Sequence, residues 1–362
     1  MARADEAVQA AKAVVIAGHP VASQMGLKVL QNGGNAIDAL VTTSLALGVA
    51  EPGNSGLGGK FVMTYYDAKT GRVSSVVAMD AAPLAVPVDE IGNLPAEQRV
   101  KGWKAVCVPG LAAALGEAHA KWGTKPWAGL VSPAAQLART GVKLSDTAAD
   151  MLAEFPTKVA DPAAMKIYAP TGKTLASGQT LRNPDLADTL DAIAKGGWRA
   201  FYTGPVAKKF VEASQKNGGY FTPGDFASYK PRFLEPLSGT YRGMQVFSSP
   251  PPLTGGTTLI AALKCLENAS DLRSGPPRQA GYIDLVGRVL RQVYPATAAA
   301  AADVPDSSAR VAKVLTPDSI REMVVKSQND DLHGAKKSRP ATRVCRCSNR
   351  PSTTRPRPAP LT

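Results

Sequence analysis

The chain has 362 residues, 44% of them hydrophobic and 6% aromatic, and a net charge of +13. That is enough apolar material for one large domain or two ordinary ones. The four cysteines (Cys107, Cys265, Cys345, Cys347) exclude a disulfide-framework protein, and no apolar run is long enough to span a membrane.

Met1-Ala2-Arg3-Ala4-Asp5-Glu6 carries early acids and lacks the apolar core of a secretory signal. As written the chain reads as cytoplasmic, or as one whose leader has been lost. Pro20 suits a first helical position, and Val21 to Gln31 follows with Gly26 as its one breaker. Gly33-Gly34 suits a helix stop, and Asn35 suits the cap of a second helix. In that helix Ile37, Leu40, Val41, Ser44, Leu45 and Gly48 recur at helical spacing. Pro52 ends it. The glycine-rich turn Ser55-Gly56-Leu57-Gly58-Gly59 leads into a strand at Phe61 to Tyr66, and Asp67 to Gly71 turns into a second strand at Val73 to Ala78.

Further along, Gly102 to Gly110 is expected to be a strand ending in a turn, with a helix over Leu111 to Trp122. Helices are expected over Val131–Thr140, Asp146–Glu154, Asn183 to Ala194 and Gly204 to Ser214. A short helix starts near Pro223, and Tyr229 to Phe247 reads as strand, turn, strand. Pro250-Pro251-Pro252 delivers a helix over Thr257–Glu267, and Ile283 to Val293 is helical in spacing. Ser270–Ala280 and the alanine run Ala296–Ala302 read as loose. Hairpins mixed with helix pairs point to an α+β fold, with helices covering antiparallel sheets.

The chemistry is sparse. No nucleophile elbow, zinc-protease, phosphate-loop or dinucleotide motif is present. Cys345-Arg346-Cys347 is too closely spaced for the usual zinc pairs, so no metal or other cofactor is expected. Gly56-Leu57-Gly58-Gly59 reads equally as a nest of N–H groups for an anion or as a tight turn into the strand. For Gly255-Gly256 packing is the better reading. His19 reads as a helix-start residue and His119 as an exposed helix residue, while Asp80 stands at a strand end, a favourable place for a site residue. Eight of the positive charges, Lys336 to Arg357, fall in residues 335–362, with no acid after Asp331. Such a tail would bind phosphate, yet it lacks an aromatic for stacking and any nucleic-acid module, so a solvated, disordered tail is the better reading.

These motifs resemble the γ-glutamyltranspeptidase family. The resemblance runs from His19-Pro20-Val21-Ala22-Ser23-Gln24 through Gly33 to Ala39, Glu51-Pro52, Ser55 to Gly59, Tyr66 to Gly71 and Ala82-Pro83. It resumes at Val108-Pro109-Gly110, Phe201 to Gly204, Asp225 to Tyr229 and Pro250 to Gly256, covering about residues 13 to 330. It implies an Ntn-hydrolase αββα sandwich made as a precursor that cuts itself into a large and a small subunit. The freed threonine attacks a γ-glutamyl amide such as glutathione, and the acyl group passes to an amino acid, a peptide or water. It also implies a substrate site at Met79, Asp80, Ser55, Gly58 and Gly59, and a small subunit as the partner that completes the fold. Family members are often periplasmic or secreted.

The sequence departs from the family pattern twice. Met79 stands where the family places the arginine that grips the substrate's α-carboxylate, and methionine forms no such pair. A non-glutamyl acyl substrate, or a carboxylate clamp from elsewhere, then enters as an alternative. Beyond Ile320 the threonine that opens the small subunit is not found in its expected surroundings; Thr342, Thr353 and Thr354 lack the expected neighbours. Residues 1–330 therefore read as a large-subunit-like region, and 331–362 as a basic Pro/Arg-rich tail with the look of out-of-frame translation. On this reading the chain alone is inactive. A non-enzymatic protein that binds nucleic acid through the tail is the second alternative.

Overall fold

The computed structural model describes residues 9–10, 12–154, 161–269 and 280–330. The first two helices are set by their caps. In α1 (Pro20–Gln31) the His19 ring accepts from the Val21 N–H at 3.2 Å, and its other nitrogen meets the Lys143 carbonyl at 3.3 Å. Proline at the first position loses no bond there. In α2 (Ala36–Ala50) Asn35 and Asp38 form a reciprocal capping box. Ile37, Val41, Leu45 and Val49 of α2 are buried, and so is the Asp38 carboxylate.

Strands β1 (Phe61–Asp67) and β2 (Arg72–Ala78) pair antiparallel from Phe61↔Ala78 to Asp67↔Arg72. β5 (Arg232–Leu234) adds to the free edge of β2, with Val77↔Arg232 and Ser75↔Leu234. One face of this sheet, Met63, Val76 and Ala78, packs on Ile37 of α2 and on Ala114 and Ala118 of α4 (Leu111–Trp122). Alanines along α4 keep helix and sheet close, and Gly116 admits Trp198, whose indole carbon would lie 1.9 Å from an added methyl.

The remaining elements follow in order. α3 (Val88–Asn93) precedes α4, and α5 (Trp127–Thr140) packs on α2 and on α8 (Pro184–Gly196). Between them come β3 (Val142–Lys143), α6 (Asp146–Glu154), α7 (Pro162–Tyr168) and β4 (Thr180–Leu181). Then come α9 (Arg199–Thr203), α10 (Pro205–Lys216) and α11 (Pro223–Ala227). β6 (Leu237–Tyr241) and β7 (Met244–Ser248) form a hairpin that packs on α12 (Thr254–Asn268). α12, α13 (Ala280–Ala300) and α15 (Pro317–Gln328) share a second core around Cys265, Leu285, Val289 and Ile320. α14 (Ser307–Val314) buries Val311 against Ala300 and Ala301. No described helix is long and apolar enough to cross a membrane.

Four expectations are corrected. Gly102 to Gly110 is not a strand; only Val108 pairs, in a single bridge with Ala81. The Tyr229 to Phe247 stretch is divided, with β5 joining β2 and only β6 and β7 forming the hairpin. Most of the alanine run Ala296–Ala302 is helical, because α13 continues through Pro295 and buries Ala300 and Ala301. His119 is not exposed; its ring packs on Trp127 at 5.2 Å and meets the Lys125 carbonyl at 2.8 Å. Residues 270–279, most of the other stretch read as loose, lie outside the described residues, as does the tail 331–362.

Candidate functional site

Antiparallel pairing brings the two ends of the β1–β2 hairpin together. Since Phe61 faces Ala78, the turn before β1 and the segment after β2 leave the sheet side by side. Lys60 and Asp80 form an ion pair there at 3.2 Å. The Gly59 carbonyl accepts from the Gly110 and Leu111 N–H groups at 3.0 and 3.1 Å, so it caps α4 from outside. Ala81 and Val108 exchange backbone bonds at 3.0 and 2.8 Å.

A cleft of about 400 Å³ opens beside this junction. Met79 and Asp80 line it, with Asp225, Tyr229, Arg232 and Asp303. Of the five residues expected at the site, Met79 and Asp80 are therefore in its wall. Gly59 is tied to the same junction through Gly110. Ser55 and Gly58 stand outside the wall: Ser55 is half-buried and its N–H donates to the Glu51 carbonyl, and Gly58 is exposed. The Gly59 N–H is engaged by the Gly56 carbonyl at 3.0 Å. The Leu57 and Gly58 N–H groups donate to no acceptor among the described residues. At the other glycine pair, a methyl on Gly256 would lie 2.0 Å from the Ser249 carbonyl oxygen, so close packing occupies that helix start.

Sequence reasoning missed four of the cleft residues, Asp225, Tyr229, Arg232 and Asp303. Tyr229 is buried, stacks on Tyr202 with centroids 5.6 Å apart, and donates to the Met79 carbonyl at 2.5 Å. Burial and the Asp80 charge push its hydroxyl up to about 12, with Arg232 opposing. It stays protonated at neutral pH and acts as a donor, not a base. Arg232 and Asp303 pair at 3.3 Å across the cleft. Cys107 lies close enough to feel both Asp80 and Lys60; burial, then Asp80, push its thiol up, against Lys60. A thiol so held is a poor nucleophile.

Asp225 supports the cleft from below. Its carboxylate accepts from the Leu84 N–H at 2.7 Å, the Thr222 N–H at 2.6 Å and the Thr222 hydroxyl at 2.8 Å. Burial pushes the carboxyl up, but these bonds outweigh it and hold it below the ordinary value. A depressed carboxyl contributes stability above the unfolded value of about 4, and loses it as the pH falls through the folded value. The fall in melting temperature on acidification is therefore expected to flatten in Asp225→Asn. An unchanged acid limb would remove Asp225 from this account.

Among the described residues no three His, Cys, Asp or Glu side chains cluster as metal ligands. The arrangement can hold a charged ligand through Arg232, Asp80 and Asp303, while the one Tyr229 hydroxyl hydrogen is committed to the Met79 carbonyl. It contains no activated nucleophile among the described residues.

The family model described as Gamma-glutamyltranspeptidase matches residues 22–355. The glutathione hydrolase proenzyme of Bacillus subtilis (strain 168) is 36% identical over 318 residues, covering 85% of this chain and 53% of the relative. The chain thus spans about half the length of that relative. The crystal structure of Helicobacter pylori gamma-glutamyltranspeptidase aligns with a TM-score of 0.81 at 30% identity, over 89% of this chain and 93% of that one. Cephalosporin acylase from Bacillus halodurans aligns with a TM-score of 0.74 at 26% identity, over 88% and 61%.

Proposed function

The chain belongs to the γ-glutamyltranspeptidase family, whose members are Ntn hydrolases, and from that premise we propose that it is the large-subunit-like part of an enzyme acting on γ-glutamyl amides. The reaction is γ-glutamyl transfer from glutathione and related amides, or their hydrolysis. A threonine hydroxyl exposed by self-cleavage attacks the amide carbonyl. The C–N bond breaks, the amine leaves with a proton, and the ester passes its acyl group to an amine or to water. The carrying observation is the cleft at Met79 and Asp80, equipped to bind but not to attack. Tyr229 in its wall is held protonated, and so is Cys107, which lies outside the wall but close enough to feel Asp80. A small-subunit segment is needed to supply the nucleophile.

The chain alone is expected to release no product from a chromogenic γ-glutamyl anilide, and to keep its intact mass on incubation. The family match ends at residue 355, just past Thr353 and Thr354. Turnover that disappears in Thr353→Ala or Thr354→Ala would overturn the inactivity and place the nucleophile there.

A second reading keeps the Ntn amidase chemistry and changes the acyl group. Met79 favours it, since a thioether offers nothing to an α-carboxylate, and the likeness to a cephalosporin acylase is consistent with it. Profiling a panel of γ-glutamyl and non-glutamyl amides, with a small-subunit segment supplied from a relative, separates the two.

A further inference from the structure

We infer that Arg232 is the carboxylate-binding group of the Met79–Asp80 cleft, and that Asp303 occupies its guanidinium until a ligand carboxylate displaces it. The inference deepens the proposed function and rests on it only for the identity of the ligand. Three observations carry it. First, position: Arg232 lies opposite Val77 in the β2–β5 pairing, two residues before Met79, and Val77, Met79 and Arg232 all line the cleft. Backbone bonds to β2 hold its Cα fixed relative to the Met79 wall.

Second, chemistry. A guanidinium presents five donors in a planar fork matched to a carboxylate, which the neighbouring Lys230 ammonium does not. Among the described residues Asp303 meets it through one contact, Nη1 to Oδ1, at 3.3 Å. The rest of the fork remains for a ligand.

Third, exchangeability. The Arg232 and Asp303 side chains are 46% and 73% exposed. A pair this open contributes little, so a ligand carboxylate exchanges with Asp303 at little cost. The Met79 side chain, apolar and half-buried, offers contact to the ligand's methylene groups instead of a charge. The ligand class is a small molecule with a free carboxylate on a short apolar stem. Under the proposed function this is the α-carboxylate of the γ-glutamyl group.

The test is calorimetric titration of the full chain with glutathione, L-glutamate and succinate. Binding is expected to weaken at least tenfold in Arg232→Met and less in Arg232→Lys. It should strengthen several-fold in Asp303→Asn, which removes the competitor, and recover in the double variant Arg232→Met/Met79→Arg. Melting curves matching the parent establish that each variant is folded. Succinate bound as well as glutathione, with the same Arg232 dependence, keeps this inference and sinks the γ-glutamyl reading. Glutathione bound equally by parent and Arg232→Met overturns the inference and leaves that reading standing. No binding of any of the three also overturns it.

Discussion

Asp38→Ala is expected to destabilise the fold by about 3–5 kcal/mol, lowering the melting temperature by about 4–7 °C. The Asp38 side chain is fully buried. One oxygen accepts from the Thr124 and Lys125 N–H groups at 2.9 and 3.2 Å. The other accepts from the Asn35 N–H at 2.9 Å and the Thr124 hydroxyl at 2.6 Å. The carboxylate thus closes the cap of α2 and ties it to the loop between α4 and α5, which is also where the Asn35 amide holds the Trp122 carbonyl. Alanine strands four donors, each costing about 1–3 kcal/mol when buried and unpaired, less whatever water recovers. Asp38→Asn keeps one acceptor and is expected to cost less. Burial pushes the Asp38 carboxyl up, but these bonds, the Thr124 hydroxyl foremost, outweigh it and hold it low. Its stabilisation is therefore present above about pH 4 and lost on acidification. Denaturant melts at neutral pH decide the matter: an Asp38→Ala midpoint equal to the parent's would mean that the Asp38 carboxylate does not hold α2 to the loop between α4 and α5.

The same residues show what the sequence makes legible. Asn35 with Asp38 three positions on, and Asn183-Pro184, are local signals. The helices they start, α2 and α8, are where the pattern places them. The span Leu111–Trp122 is read to the residue, because Gly110 and Gly123 bound an alanine-rich stretch in which Gly116 is the one breaker. The second role of Asp38 is not local. Its partners Thr124 and Lys125 lie 86 and 87 positions away, and only tertiary packing brings them to it. His119 fails for a nearer reason: the chain turns at Gly123, and Lys125 and Trp127, six and eight positions on, come back over it. The Gly102 to Gly110 stretch looked like a strand because Ala105 to Val108 is small and apolar; beyond Ala81 it finds no strand to pair with. The alanine run Ala296–Ala302 reads as loose, but burial of Ala300 and Ala301 against Val311 keeps the helix going to Ala300.

The site divides along the same line. Met79 and Asp80 follow a strand whose pattern is local, and both stand in the cleft wall. Arg232 and Asp303 close that wall from 150 or more positions away, through the pairing with Val77 and through the turn after α13. No periodicity in the chain marks them. The Val77↔Arg232 register that places Arg232 beside Met79 is a long-range contact, invisible to any window of sequence.

Gly110→Ala is expected to cost about 1–3 kcal/mol, toward the upper end, and to open the cleft at its root. The backbone there is ordinary, with φ of −103° and ψ of −19°, so the glycine is not required for conformation. It is required for space. A methyl at Gly110 would lie 2.2 Å from the Ala78 carbonyl oxygen and 2.3 Å from the Tyr229 hydroxyl. The first obstacle is backbone at the end of the central strand, where Ala78 is paired to Phe61 and has little room to turn aside; the second is a buried ring held by Tyr202 and by the Met79 carbonyl. The two can be separated, because Tyr229→Phe removes only the hydroxyl. If both obstacles matter, Gly110→Ala costs less in the Tyr229→Phe background than alone, and the remainder measures the Ala78 contact. Gly58→Ala serves as the reference for adding a methyl to this glycine-rich junction. Nothing lies within 4 Å of it, and its effect should stay within about 0.5 kcal/mol. A Gly110→Ala loss no larger than that would mean that helix, strand and tyrosine shift together, and that the junction does not hold Met79 and Asp80 in register.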